Sequence, residues 1–159
     1  MLTLPFAVLM KNYPRRKDID HDALFKQLGW DDLIKNEDYA NTCATRVSLA
    51  LIKSGIAIPH GRLPIRAGPF KGKLIEPGQD KLSHTLAQPT MFGLPEKFAT
   101  RLSEAGIGMR SGIVSFFHLI PGIYEHGHID IISPNLGGIR ECGTDCYWTS
   151  KEVWFWPLK

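Results

Sequence analysis

The sequence predicts an α+β fold in which helices from the first half of the chain pack on an antiparallel sheet from the second. Three observations carry that expectation. Apolar residues recur at helical spacing before residue 55, the period changes to β-branched and aromatic runs after residue 106, and an aromatic stretch lies at 153–156. Helices followed by antiparallel strands form a layered arrangement in which each element buries one face. A chain of 159 residues can bury a single core, so residues 1–159 are expected to form one domain.

The elements follow in order. The opening MLTLPFAVLM is apolar, yet no basic residues precede it and no small-residue cleavage site follows. It reads as part of the fold and not as a signal peptide. Asp18 or Asp20 can cap a first helix running through Leu24, Phe25 and Leu28 to Gly29, with Trp30 as a core anchor behind it. Asn41 or Thr42 can cap a second, in which Ala44, Val47, Ala50 and Leu51 form an apolar stripe and Gly55 ends the pattern. From Gly55 to Gly93 glycine and proline are dense, which predicts surface loops and short strands that shape a cleft. Pro95 to Gly106 reads as a third helix with Phe98 and Leu102 inward. Ile113 to Ile120 is β-branched and aromatic, Pro121-Gly122 marks a turn, and Ile123 to Ile132 alternates as a second strand. In the closing strand, Trp154 and Trp156 share one face while Val153 and Phe155 share the other, a pattern that core packing explains.

Composition narrows the functional classes. The net charge of +3 suits a polyanionic matrix or an acidic partner but is too diffuse for nucleic acid. The one dense basic cluster, Lys11 to Lys17, reads as a solvated turn leading into a helix. No apolar run approaches the roughly 18 residues needed to span a bilayer.

The chemistry concentrates at two places. Cys43 falls at the start of the second helix, where unpaired amides and the helix dipole favour a negative thiolate. Its position beside Val47 on the apolar stripe also allows a buried structural cysteine. In the strand ending at Ile132, alternation puts Tyr124, His126, His128 and Asp130 on one face. Unpaired polar groups on a buried face are costly, so such a face belongs at a cleft, where a histidine can take a proton from a thiol and return it to a leaving amine. Cysteine on a helix first and histidine on a strand later is the chain order of papain-like enzymes. Alternation alone does not choose between His126 and His128.

The stretch Asn41-Thr42-Cys43-Ala44-Thr45-Arg46-Val47-Ser48-Leu49-Ala50-Leu51 resembles the cysteine motif of the fourth family of type VI secretion amidase effectors. Gly127-His128-Ile129-Asp130 is similar to that family's histidine motif. Asn12-Tyr13-Pro14 and Glu152-Val153-Trp154-Phe155-Trp156-Pro157-Leu158 resemble its terminal signatures. The resemblance implies a papain-like fold of the NlpC type, without cofactor or metal. It implies hydrolysis of the amide joining D-glutamate to meso-diaminopimelate in peptidoglycan stem peptides, delivery by type VI secretion into the periplasm of a rival bacterium, and restraint by a cognate immunity protein.

Carried onto this sequence, the resemblance makes Cys43 the nucleophile and His128 its base, with His126 lining the cleft. For the acid that orients the imidazole it favours Asp145, from the next strand or turn, over Asp130, whose side chain points the same way as His128 along one strand. The oxyanion is expected at the backbone amide of Cys43, with Asn41 as a candidate side-chain donor. In an oxidising periplasm Cys142 and Cys146 are expected to form a disulfide around Asp145. Two other classes compete with this reading. One is a non-catalytic module with zinc held by Cys142, Cys146, His126 and His128; the other is a papain-like peptidase or acyltransferase acting on a protein.

Overall fold

The computed structural model describes all 159 residues. Five α-helices and seven strands follow along the chain, α1 (Phe6–Asn12), α2 (His21–Leu28), α3 (Cys43–Lys53), β1 (Leu63–Pro64), β2 (Leu74–Ile75), α4 (Gln79–Leu86), β3 (Glu96–Ala99), α5 (Thr100–Ile107), β4 (Gly112–Phe117), β5 (His128–Pro134), β6 (Arg140–Cys142) and β7 (Glu152–Pro157). β1 and β2 form a small hairpin-like pair, and the other five strands form one antiparallel sheet in the order β3-β7-β4-β5-β6.

The helical half forms where its signals lie. Asp20 caps α2 by accepting the Ala23 amide at 2.9 Å, and Gly29 closes it with φ 75°, a left-handed conformation that glycine adopts without a Cβ penalty. Trp30 is fully buried and donates its indole N–H to the Pro64 carbonyl at 2.8 Å, which satisfies the polar edge of an otherwise apolar side chain. α3 is buried along nearly its whole length and packs on β5 and α1.

Alternation along the central strands buries both faces of the sheet. The larger core gathers Leu9, Leu24, Trp30, Val47, Leu51, Ile113, Ile129 and Trp156 under α1 to α4. A smaller one, on the other face, holds Ile107, Val114, Phe116, Ile132, Val153 and Phe155. The two faces expected of the closing strand are therefore both core.

Three expectations change. Pro95 to Gly106 is not one helix, because Glu96 to Ala99 pair with β7 and only then does α5 begin; Leu102 faces outward with 56% exposure. Pairing with the closing strand satisfies the backbone of that segment and overrides its local helical signal. α4 lies in the stretch read as loops, with Leu82 and Leu86 turned into the core. The strand carrying the histidines starts at His128, since Pro121 to His126 form an exposed turn.

Trp30→Ala is expected to lower stability by roughly 3–5 kcal/mol, whereas Leu102→Ala should change it by no more than about 0.5 kcal/mol. Urea denaturation of both variants checks this; equal losses would contradict the packing described.

Candidate active site

Cys43 is the first residue of α3 and is 5% exposed at the floor of an open cleft. Its backbone amide donates to Asn41 Oδ1 at 3.0 Å, so of the two expected capping residues it is the Asn41 side chain, not that of Thr42, that serves the helix start. Asn41 thus presents an acceptor to the cysteine amide and not the donor expected from the sequence. The packing of α3 along β5 brings Cys43 to His128, the first residue of that strand. The thiol and the imidazole share one cavity of about 720 Å³ with Arg16, Tyr124, Thr144 and Tyr147. A second cavity of about 430 Å³ also reaches Cys43 and is lined by Asp38, Arg62, Gln79, Asp80 and His126.

The imidazole is fixed from behind. His128 Nε2 lies 2.8 Å from Asp130 Oδ2 and 3.0 Å from the Thr144 hydroxyl, which leaves Nδ1 for exchange with the thiol. Same-face neighbours on a strand stand about 6.6 Å apart, a span that an imidazole laid along the strand and a carboxylate bridge together. The geometric objection to Asp130 is thereby removed. Tyr147 packs edge-on against the His128 ring at 4.9 Å between centroids, and Phe116 stacks on it at 6.2 Å.

Asp130 is fully buried and is satisfied on both oxygens. Oδ1 accepts from the Ile131 amide at 2.8 Å and the Tyr13 hydroxyl at 3.1 Å; Oδ2 also accepts from the Thr144 amide at 2.9 Å and hydroxyl at 2.7 Å. Gly143 permits this closeness, because a Cβ there would stand 2.6 Å from Asp130 Oδ1 and 2.6 Å from the Tyr13 ring. Gly127, before His128, is restricted in the same way by the Gln79 amide and the Phe116 carbonyl.

The electrostatics follow from burial against pairing. Burial alone would drive the His128 pKa down, but hydrogen bonds to Asp130 and Cys43 and their charges outweigh it and raise the value to about 9. Burial pushes Asp130 up, while His128 and the two Thr144 donors pull it below the usual carboxylate range. Tyr13, buried and facing the Asp130 charge, is pushed well above the ordinary phenol value. The site thus holds a carboxylate and an imidazolium near neutral pH.

Asp145 lies elsewhere. It is 56% exposed, its carboxylate sits 3.5 Å from Arg16 Nη2, and it makes no hydrogen bond to His128. The structure places Asp130 and not Asp145 against the imidazole. Cys142 and Cys146 are joined by a disulfide, and the loop they close presents Thr144 inward and Asp145 outward. His126 is exposed in the turn before β5 and lines the second cavity, so the two cysteines and the two histidines do not converge. Sequence reasoning missed Thr144 altogether, and it noted Tyr13 only within a terminal signature. Both act through contacts across long sequence separations, for which a single sequence carries no local signal; the glycine at 143 is the one trace.

Comparison with known proteins identifies the family and the fold. The family model for type VI secretion system (T6SS) amidase effector protein 4, Tae4, matches residues 39–156. A search of curated proteins returns no match. The chain is similar in structure to Tae4 from Enterobacter cloacae in complex with Tai4, with TM-score 0.74 and 18% identity over 99% of this chain and 100% of that one. The free Tae4 from the same organism gives 0.74 and 18%, over 99% and 98%. The Tae4–Tai4 complex from Salmonella Typhimurium gives 0.66 and 15%, over 97% and 95%. The family match across most of its length establishes that this chain belongs to the Tae4 family of type VI secretion amidase effectors.

Proposed function

We propose that the protein is a peptidoglycan amidase that hydrolyses the D-glutamyl–meso-diaminopimelate amide of stem peptides, with Cys43 as nucleophile, His128 as acid and base, and Asp130 as orienter. The observation that carries this reading is one cleft holding a cysteine at a helix start and an imidazole whose far nitrogen is bound by a buried carboxylate. With the Cys43 proton already held on His128 as the imidazolium, the sulfur attacks the amide carbonyl, forming a tetrahedral adduct. His128 then returns the proton to the departing amine, leaving a thioester on Cys43. Water, deprotonated by His128, cleaves the thioester and releases the glutamyl carboxylate. The start of α3 favours the developing oxyanion, and for the Cys43 amide to serve it must exchange Asn41 Oδ1 for that oxygen.

Membership of a secreted effector family supports delivery by the type VI apparatus and action in the periplasm of the recipient cell. The solved Tae4–Tai4 complexes support a cognate immunity protein for this chain as well, and the open cleft around Cys43 is the surface such a partner would need to cover.

Cys43→Ala should abolish release of cleaved stem peptides, read by mass spectrometry of digested peptidoglycan, while the melting temperature stays within a few degrees. Wild-type protein that leaves the stem peptides intact sinks the substrate assignment. Asp130→Asn should reduce kcat by roughly 10²–10⁴-fold, whereas Asp145→Asn should lower kcat/KM by less than about tenfold. The reverse ranking, with both variants folded by circular dichroism, moves the orienter to Asp145.

The pH dependence has a definite sign. His128 is raised from 6.5 unfolded to about 9 folded, so its stabilising contribution is complete below about pH 6.5 and is lost as pH rises through about 9. The charge relation to the cysteine is lost over the same window, and hydrolysis rates should fall with a midpoint near pH 9. An alkaline midpoint near 6.5 in the wild type contradicts this.

A further inference from the structure

Resting on the amidase reading above, we infer that Arg16 is a specificity-determining residue that binds the free α-carboxylate of the D-glutamyl unit on the acyl side of the scissile amide. Arg16 lines the larger cavity together with Cys43 and His128. Its loop is braced from within the core. The fully buried Arg46 donates from Nη1 to the carbonyls of Pro14 at 2.9 Å and Ile19 at 2.8 Å, one on each side of the turn that carries Arg16. Further bonds from the Asp18 and Ile19 amides to the Arg15 carbonyl close that turn. The backbone under Arg16 is held, while its guanidinium is free to turn toward a ligand.

The other charged side chains that line that cavity are already engaged. Arg46 also donates from Nε to Thr42 Oγ1 at 2.8 Å. His21 contacts Asp22 Oδ1 at 2.9 Å and the Tyr39 carbonyl at 3.0 Å, and Asp20 caps α2. Arg16 has only the single long contact to Asp145, between side chains 59% and 56% exposed. Such pairs contribute little to stability and are readily exchanged for another carboxylate. Asp145 then serves as the resting counter-ion that keeps the guanidinium beside the cleft.

A γ-linked glutamyl amide carries this carboxylate unless it has been amidated, separated from the scissile carbonyl only by the glutamyl carbon chain. A guanidinium can take it in a two-pronged pair, which an uncharged amide at the same place does not offer.

Two synthetic peptides test the inference, L-alanyl-γ-D-glutamyl-meso-diaminopimelate and the same peptide with the α-carboxylate amidated to D-isoglutamine. Wild type should prefer the acid by roughly tenfold to a hundredfold in kcat/KM, with KM carrying most of the difference. Arg16→Gln should collapse that preference toward unity, and Arg16→Lys should restore part of it. A wild type indifferent to amidation, or an Arg16→Gln variant that keeps the full preference, overturns the inference while leaving the amidase reading intact. Failure of the wild type to cleave either peptide overturns both. Melting temperatures of the variants separate a loss of binding from a loss of fold.

Discussion

A carboxylate without solvent contact sits where the layers of this molecule meet. Asp130 has no exposed surface, and leaving a charge there unpaired would cost several kcal/mol. Its two oxygens accept five hydrogen bonds, from Tyr13, His128, the Ile131 amide and both donors of Thr144. Those partners come from the end of α1, from β5 and from the disulfide-closed loop beyond β6. One group therefore ties the N-terminal helical layer, the central sheet and the following loop to the imidazole that faces Cys43. The catalytic geometry and the docking of these segments are the same set of contacts.

Arg46 repeats the arrangement with the opposite sign. Its guanidinium is 1% exposed, and burial lowers its pKa even as Tyr13, Asp20 and Asp130 oppose that shift. It spends its donors on backbone carbonyls of the loop between α1 and α2 and on Thr42. A buried anion and a buried cation thus hold the chain segments that border the cleft. Buried charges placed this way specify an arrangement more than they add stability, because the same volume filled by apolar side chains would do at least as well energetically.

Local chemistry made part of this legible. Asp20 and Gly29 mark both ends of α2, and Asn41 ahead of the Ala44, Val47, Ala50 and Leu51 stripe sets Cys43 at a helix start. The alternation of Val153 to Trp156 foretold two buried faces. What stayed hidden depends on contacts between distant segments. α4 has only Leu82 and Leu86 as apolar anchors amid polar residues, too sparse for a helical period to show. Glu96 to Ala99 become a strand because β7 is there to pair with them. The choice between Asp130 and Asp145 turns on how the His128 ring lies along its strand, a torsion that residue spacing does not encode.

The position of β7 bears on how the molecule comes into being. Residues 152–157 occupy the sheet between β3 and β4, so the strand synthesised last of the five stands second from one edge and joins β4, β5 and β6 to β3. A nascent chain can form α1 to α3 and pair β4 with β5 early, but the sheet remains split until that final strand leaves the ribosome and inserts. Such long-range closure is slow compared with helix formation. Until then the slot between β3 and β4 leaves two strand edges without a partner, the kind of surface through which incompletely folded chains aggregate.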